Sequence, residues 1–364
     1  MRVLHLPANI ASQTSITVRA LRDIGIDARG LVLNSSPIQG NEGIETFEIG
    51  SRRRHPIHGV RQTLSWWYAV ESAIRWADVV HWHSSGRALP KDLDLRYIAL
   101  LNKARIVEFW GSDIRIPEIA VRDNPYLAKL LSDPNNDYHI SYKSSREVQE
   151  RFARYGFECL IPGPELVAYV QRDLFPSLFR TEARLILSEF EPKYPDPTLC
   201  KPVVVHTPSR LMAKGTPSVL RAIEQLKAQY DFEFKIIHGV PHDEALAMVR
   251  DCDIMLDQFV SGSFGVAALE AMALGKPVVC YIKPSLIPQL PSDCPIVNAN
   301  QDNLVEVLGS LLEDGQRRHE LGREGRAYVE KYHDAHQIAR QLVTVYQELI
   351  EKNQRDRHGR RQVY

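Results

Sequence analysis

The sequence predicts an α/β protein made of two units in succession, each a largely parallel sheet covered by helices. Short apolar runs alternate with helical patterns in both halves of the chain, and this alternation is typical of parallel sheets. A chain of 364 residues can also bury two cores of ordinary size. Residues 173–202, rich in proline and acidic side chains, indicate the connection, so we expect domains over 1–172 and 203–339.

The individual elements follow from runs of apolar residues and from helical periodicity. Predicted strands of the first half cover residues 2–6, 28–32, 79–82, 105–109, 139–141 and 159–161, and predicted helices cover 15–24, 64–76, 95–101 and 144–155. In the second half we expect strands over 203–206, 234–238, 254–256, 277–281 and 296–297. Two long helical patterns, 316–331 and 335–353, close the chain.

Charge and composition restrict the classes of protein that the chain can represent. Lys+Arg and Asp+Glu are equal at 45 each, so no net field attracts a nucleic acid, and we expect no nucleic-acid partner. Five cysteines without a C-x-x-C pair indicate buried thiols in a reducing compartment. The first residues enter a strand directly, and no apolar run approaches the roughly 20 residues of a membrane span. We therefore expect a cytoplasmic protein.

The most informative stretch is SGSFGVAALEAMALGKPVV, residues 261–279. It follows an apolar strand, and its glycine-flanked turn begins a helix that Gly275 and Pro277 end. Such a unit places a helix N-terminus and Glu270 at the carboxyl ends of parallel strands, where α/β sheets bind ligands and favour anions. The alternative is an ordinary βαβ repeat in which Glu270 is a charge on the helix surface.

The same stretch resembles the signature of the retaining glycosyltransferases of family 4, E-x-F-G…E-A-M-A-x-G-x-P-V-V. The resemblance implies the GT-B fold, in which two Rossmann-like domains face each other across a cleft. The nucleotide-sugar donor then binds the second domain, the acceptor binds the first, and residues 340–364 cross back to the first. Glu270 takes the position that grips the donor ribose. The residues expected to line the diphosphate and the sugar are Phe264, Gly265 and Val266.

Two more strand ends of the second half carry donor-site candidates. Arg210 and Lys214 precede a helix, and two cations beside free backbone N–H groups can neutralise a diphosphate. Family-4 enzymes use Arg and Lys in the corresponding loop to hold the donor phosphates, whereas the alternative is a pair of solvated side chains. Gly239 ends the next strand, where a base or ribose can approach the backbone closely. The resemblance implies that no metal or other cofactor is needed, because cations and a helix dipole carry the leaving-group charge.

One position departs from the family pattern. Gly262 stands where the family has its first glutamate, which approaches the donor sugar. Asp257 or Gln258, just upstream, can reach the same sugar hydroxyls. We therefore include Asp257 among the candidate catalytic residues.

Strand ends of the first half supply the remaining candidates. His81 and His83 share one face of a strand, which suggests a metal, but no further ligand spacing in the sequence supports one. Their strand resembles the family's D-V-V-H-x-H, and Trp110 replaces the histidine of its H-G-x-D turn. Asp113 in that turn binds sugar hydroxyls or caps the next turn; His83 and Asp113 are catalytic candidates. Asn9 and Trp110 are placed on the acceptor side, although helix capping explains Asn9 equally well.

Residues 51–68 combine basic and aromatic side chains without any acidic one. Such a combination suits the surface of an anionic membrane. The candidates for a peripheral membrane contact are Arg52, Arg53, Arg54, Trp66 and Trp67. The alternative is a solvated loop followed by a helix whose aromatic side chains lie in the core.

The sequence therefore predicts a glycosyltransferase. It would move a sugar from a UDP- or GDP-linked donor to a glycan, glycolipid or other hydroxyl acceptor, with retention at the anomeric carbon. One alternative is a non-catalytic partner protein that keeps the fold and binds nucleotide sugars. Another is a GT-B nucleotide-sugar epimerase.

Overall fold

The computed structural model describes residues 1–34, 36, 39–49, 56–134, 136 and 138–361, which divide into two compact units. The first unit contains residues 1–115, 142–184 and the chain from 335 onward; the second contains 116–141 and 185–334. Residues 116–141, from the first half of the sequence, thus pack with the second unit. Asn124 donates from Nδ2 to the Val260 carbonyl oxygen at 2.7 Å, and the rings of Tyr126 and Tyr281 meet edge to face at 5.0 Å.

Parallel strands form the sheet of the first unit. They are β1 (Arg2–Leu6), β2 (Asp27–Leu33), β3 (Glu45–Phe47), β4 (Val79–His83), β5 (Ala104–Glu108), β6 (Glu158–Pro162) and β7 (Leu178–Thr181). Their order across the sheet is β3-β2-β1-β4-β5-β6-β7. Consecutive strands add to one side from β1 to β3 and to the other side from β4 onward, so the direction changes between β1 and β4.

The sheet of the second unit is also parallel. It contains β8 (Val203–His206), β9 (Glu233–Ile236), β10 (Ile254–Leu256), β11 (Val278–Cys280) and β12 (Val297–Asn298), in the order β12-β11-β10-β8-β9. Val204, Leu256 and Val279 lie at its centre and are fully buried. Burying each such side chain contributes roughly 1.5–3 kcal/mol, which fixes the strand ends that carry the candidate residues.

Helices cover both sheets. In chain order they are α1 (Gln13–Asp23), α2 (Pro56–Trp76), α3 (Leu93–Leu100), α4 (Pro117–Ala120), α5 (Pro125–Ser132), α6 (Tyr142–Arg154), α7 (Leu211–Lys214), α8 (Thr216–Lys227), α9 (His242–Arg250), α10 (Val266–Ala273), α11 (Leu304–Glu313), α12 (Gly315–Tyr332) and α13 (Ala335–Arg361). The first unit contains α1–α3, α6 and α13. Among the residues that the structure describes, no helix combines the length and the apolar character needed to cross a bilayer.

The predicted α/β class with two parallel sheets is confirmed, and most predicted strands are present to within about two residues. The strand predicted over 139–141 is wrong, because these residues pair with no strand and pack with the second unit. Two strands were not predicted. β3 has only three residues, and β7 lies inside the proline-rich stretch 173–202, where it forms an edge of the first sheet.

Candidate functional site

The second sheet changes direction between β8 and β10. β9 pairs with one side of β8, and β10 pairs with the other, with β11 and β12 beyond it. Connections leave the two central strands in opposite directions, and the region outside the carboxyl ends of such strands is where open α/β sheets bind ligands. Lys214 follows β8 and Asp257 follows β10. The two side chains meet at this switch point.

The Asp257 carboxylate accepts hydrogen bonds both from a lysine and from the N-cap residue of a helix. Lys214 Nζ donates to Oδ1 of Asp257 at 2.9 Å, and the Gly265 backbone N–H donates to Oδ2 at 2.8 Å. Gly265 caps α10, whose first N–H groups have no partner within the helix. Asp257 is fully buried, whereas the Lys214 side chain is 15% exposed. Asp257 therefore engages both Lys214 and Gly265, two of the residues that the sequence assigns to the donor diphosphate.

The turn before α10 explains why position 262 is glycine. Gly262 has a φ of +78°, in the left-handed region that favours glycine. A Cβ atom there would lie 2.9 Å from Cβ of Lys283 and 3.0 Å from Nδ2 of Asn124. A glutamate at this position would require both the backbone and its neighbours to move. Both carboxylate oxygens of Asp257, the residue we expected to reach the same sugar hydroxyls, already accept a hydrogen bond.

Glu270 lies on α10 and is paired. Its Oε1 is 2.8 Å from Nε2 of His242, the first residue of α9. The side chains of Glu270 and His242 are 13% and 25% exposed, so both remain accessible to a ligand. The sequence pattern does not single out His242. Its pairing depends on the packing of α9 against α10, which residue spacing alone does not reveal.

Two further donor-site candidates, Arg210 and Gly239, lie in open surroundings. Arg210 is exposed and precedes α7, and its side chain has no ion pair with any other described residue. Gly239 follows β9 with a φ of +73°, and a Cβ atom built there would meet nothing within 4 Å. The left-handed backbone conformation therefore favours glycine at position 239, and the space beside this residue is open. Phe264 and Val266 flank Gly265 and are partly buried.

In the first unit, the side chains of Asp113 and Asn9 accept hydrogen bonds from backbone N–H groups. Asp113 Oδ1 accepts from the N–H groups of Gly111 at 2.8 Å and Trp110 at 3.2 Å, and burial raises the pKa of this carboxyl. Asn9 Oδ1 accepts from the N–H of Thr14 at 3.1 Å, in the first turn of α1. The capping alternative accounts for Asn9, whereas the hydrogen bonds of Asp113 stabilise the turn before it. Trp110 Nε1 is buried without a hydrogen-bond partner in the described part of the chain.

His83 belongs to a fully buried cluster at the switch point between β1 and β4. Its Nε2 lies 2.9 Å from Nδ1 of His5, and its Nδ1 lies 3.3 Å from Oε2 of Glu108. Arg184 contacts the other oxygen of Glu108, and the Tyr346 hydroxyl is 2.6 Å from Nδ1 of His81. The sequence pattern revealed only His81 and His83. The remaining members arrive through strand register, from the segment after β7, and from α13.

Electrostatics keep this cluster in one charge state. Burial lowers the pKa of His5 and His81, and lowers that of His83 to about 4, so the imidazoles are neutral near pH 7. Burial alone would raise the pKa of Glu108, but the Arg184 guanidinium beside it outweighs burial and holds that pKa well below its usual range. The cluster therefore contains one carboxylate–guanidinium pair and three neutral rings. Because no member of the cluster is exposed, His83 is not positioned to contact a substrate.

The predicted membrane contact through Trp66 is wrong. Trp66 is fully buried, and its Nε1 donates to the Ala88 carbonyl oxygen at 2.6 Å, because α2 turns this face toward the core. Trp67 is 38% exposed. The other three residues of the predicted contact, Arg52, Arg53 and Arg54, lie outside the described residues.

Comparison with known proteins agrees with this architecture. Residues 206–328 match the family model of the glycosyl transferases group 1. Over 167 residues the chain is 25% identical to an MMP alpha-(1->4)-mannosyltransferase from Mycolicibacterium hassiacum. This match covers 38% of the present chain and spans only 40% of the length of that relative.

Solved structures share the fold over nearly the whole chain. A sucrose-phosphate synthase from Thermosynechococcus elongatus has a TM-score of 0.67 at 12% identity, covering 96% of this chain and 99% of its own. WaaG, a glycosyltransferase involved in lipopolysaccharide biosynthesis, has a TM-score of 0.60 at 12% identity, with coverages of 95% and 99%. Anabaena HepE in complex with UDP has a TM-score of 0.59 at 14% identity, with coverages of 96% and 100%. The predicted resemblance is confirmed in its fold: the chain has the GT-B glycosyltransferase fold, and its residues 206–328 match the glycosyl transferases group 1 model.

Proposed function

We propose that the protein is a glycosyltransferase that moves a hexose from a UDP- or GDP-linked donor to a hydroxyl group, with retention at the anomeric carbon. The observation that carries this proposal is the meeting of Lys214, Asp257 and the N-terminus of α10 at the switch point of the second sheet. All three lie within the region that matches the group 1 model. The acceptor is a glycan, a glycolipid or another alcohol.

The donor diphosphate would bind Lys214 and the first N–H groups of α10. A charge-assisted hydrogen bond in such a place contributes about 1.5–3 kcal/mol. These groups also stabilise the negative charge that develops on the departing nucleotide, so the transfer step requires no metal. Complexes of HepE with UDP and with UDP-glucose support a UDP-linked donor for this fold. The mannosyltransferase relative supports a hexose.

Glu270 would accept hydrogen bonds from the ribose hydroxyls. Its carboxylate is already oriented by His242 at 2.8 Å, so little side-chain entropy is lost when the nucleotide binds. Gly239, with open space beside it, would admit the ribose or the base. In this division of roles Asp257 holds Lys214 when no donor is bound and competes with the diphosphate for it.

The chemistry then requires positioning and charge stabilisation. The acceptor oxygen forms a bond to the anomeric carbon on the face from which the nucleotide leaves, and the bond from that carbon to the phosphate oxygen breaks. The departing phosphate takes the acceptor proton. Holding the reactants in this arrangement can supply several kcal/mol of the barrier reduction.

One observation favours a second candidate, a nucleotide-sugar-binding protein without activity. Gly262 removes the glutamate that approaches the sugar in family 4, and the crowding around it leaves no room for a substitute at that position. The loss of one hydrogen bond to a charged group costs about 1.5–3 kcal/mol, a factor of about 10 to 150. Measured turnover therefore decides between a slow enzyme and a binding protein.

The test is release of nucleoside diphosphate from UDP- and GDP-linked hexoses, with water or methanol as the acceptor. Wild type should release one nucleotide selectively, and the methyl glycoside should keep the donor configuration by proton NMR. Lys214→Met should slow release by about 10- to 150-fold. Lys227→Met removes an exposed lysine of the same unit and should behave as wild type. Tight binding without release from any donor would overturn the enzymatic proposal in favour of the binding protein.

A further inference from the structure

The buried cluster of the first unit brings three imidazoles together from two strands. His5 lies on β1, and His81 and His83 lie on β4, which pairs with it; His5 is opposite His81. Because side chains alternate along a strand, His81 and His83 project from the same face. Each histidine offers one ring nitrogen such that the three nitrogens lie within 4.8 Å of one another. All three side chains are fully buried.

Several polar atoms of this cluster have no hydrogen-bond partner. Within the described residues these atoms are Nε2 of His5, Nε2 of His81, Nδ1 of His83 and Oε2 of Glu108. An unpaired buried polar group costs about 1–3 kcal/mol, and folded proteins pair the large majority of such groups. Four in one cluster indicate a ligand that binds nitrogen and oxygen lone pairs. Neutral histidine is the form that binds metal ions.

Neighbouring groups already orient the rings as they do around bound metals. Oε2 of Glu108 lies 3.2 Å from Nε2 of His81 and 3.3 Å from Nδ1 of His83, so it faces the same space as these two unpaired nitrogens. The Tyr346 hydroxyl holds the other nitrogen of His81. Histidine ligands commonly give their second ring nitrogen to a carboxylate or similar partner, which fixes the tautomer and the ring orientation. Arg184 anchors Glu108 in turn.

We propose that His5, His81 and His83 bind one divalent transition-metal ion, with Glu108 as the anionic partner of the site. Imidazole ligands suit zinc, copper and nickel, and zinc is the member without redox chemistry. Zinc–nitrogen bonds of about 2.0–2.1 Å place tetrahedral ligands roughly 3.4 Å apart. Oε2 of Glu108 already lies close to that separation from Nε2 of His81 and from Nδ1 of His83, at 3.2 and 3.3 Å. The ion would tie β1 to β4 and takes no part in the proposed transfer step.

The experiment measures metal content of the full chain, produced without a polyhistidine tag. The protein is unfolded in chelator, refolded with one equivalent of Zn²⁺ or Co²⁺, desalted and analysed by mass spectrometry of the metal. Wild type should retain about one ion per chain and melt several degrees higher than the metal-free protein. The Co²⁺ form should show the visible absorption of a four-coordinate site.

His5→Gln and His83→Gln should lose the ion and the metal-dependent rise in melting temperature. His206→Gln is the matched control, because His206 is equally buried but both of its ring nitrogens are paired, with the Leu256 carbonyl oxygen and the Thr216 hydroxyl. It should retain the ion. Folded wild type that retains no metal, or a folded His5→Gln that retains as much as wild type, would overturn the proposal. Wild-type metal content decides the question even if the variants fail to fold.

Discussion

The two sheets each change direction once, and the two switch points are occupied in opposite ways. Between β1 and β4 the position is filled by fully buried side chains, with Glu108 paired to Arg184 among three histidines. Between β8 and β10 the pair is Asp257 with Lys214, and Lys214 retains a partly exposed side chain. The same topology therefore produces an enclosed polar cluster in one unit and an accessible cation in the other. Topology gives the location of a crevice, whereas exposure decides whether a ligand can use it.

This comparison assigns different roles to the two carboxylate–cation pairs. Arg184 cannot leave Glu108 without leaving two charges buried, so that pair belongs to the stability of the first unit. The Lys214 side chain is partly exposed, so we assign the second pair to the proposed binding of an anionic ligand. Removing one partner of each pair should separate stability from nucleotide affinity.

The largest effect is expected for Arg184→Met. It leaves Glu108 buried without its cation, which should lower the free energy of unfolding by about 3–5 kcal/mol. Urea unfolding followed by circular dichroism measures the change, and the affinity for nucleotide should stay within twofold of wild type. Arg180→Met, which removes an exposed arginine of the neighbouring strand β7, is the control and should leave stability unchanged. A loss below about 1 kcal/mol for Arg184→Met would mean that the cluster tolerates an unpaired carboxylate.

The second-largest effect is expected from acidification, which protonates His206, the buried histidine at the switch point of the second sheet, and lowers the free energy of unfolding. Burial lowers its pKa from the usual 6.5 to about 4, so the unfolded chain binds this proton more readily than the folded chain. Its contribution to stability is complete above pH 6.5 and is lost as the pH falls toward 4. One proton accounts for about 1.4 kcal/mol per pH unit, or about 2 kcal/mol between pH 7 and pH 5.

His206→Gln keeps a donor and an acceptor for the Leu256 carbonyl oxygen and the Thr216 hydroxyl but cannot titrate. Urea unfolding of wild type and variant at pH 7 and pH 5 measures the difference. The variant should lose about 2 kcal/mol less than wild type on acidification. An equal loss in both proteins would show that His206 does not titrate as its burial predicts.

The smallest effect is expected for Asp257→Asn. The substitution removes the internal anion that competes for Lys214 and the Gly265 N–H, so nucleoside diphosphate should bind a few-fold more tightly, by about 1 kcal/mol. Isothermal titration with UDP and GDP measures the affinity. Asp253→Asn, at another acidic residue of the same unit that is also buried, is the comparison for a general loss of charge. Weaker binding to Asp257→Asn would show that Asp257 is needed to position Lys214.

How well the sequence predicts a feature depends on how far apart in the chain the interacting residues are. Strand positions and the glycine-rich turn before α10 depend on local patterns, so Lys214 and Glu270 could be chosen as candidates from their neighbours in the chain. The partners of His83 could not, because His5 joins through the register of β1 against β4 and Arg184 enters from beyond β7. Local patterns also fail to predict features that depend on close packing between segments of the folded chain.

Gly262 and Trp66 illustrate that limit. The sequence shows a missing glutamate at 262, but the positive φ and the contact with Lys283 that require glycine depend on the folded turn. Trp66 and Trp67 are adjacent in the sequence, and only the orientation of α2 places one in the core and the other at the surface. Amphipathic periodicity gives such an orientation poorly when aromatic residues are consecutive.

The central claim is that the switch point of the second sheet binds a nucleotide through Lys214 and Glu270. The most direct measurement is a thermal-shift series with UDP, GDP, ADP and their sugar conjugates on wild type, Glu270→Ala and, as control, Glu224→Ala at an exposed position of α8. At 100 times its dissociation constant a ligand stabilises by about 2.7 kcal/mol, which raises the melting temperature by several degrees. We predict that one nucleotide shifts wild type and Glu224→Ala, and that Glu270→Ala loses the shift. No shift with any nucleotide, or the same shift in Glu270→Ala, would contradict the claim.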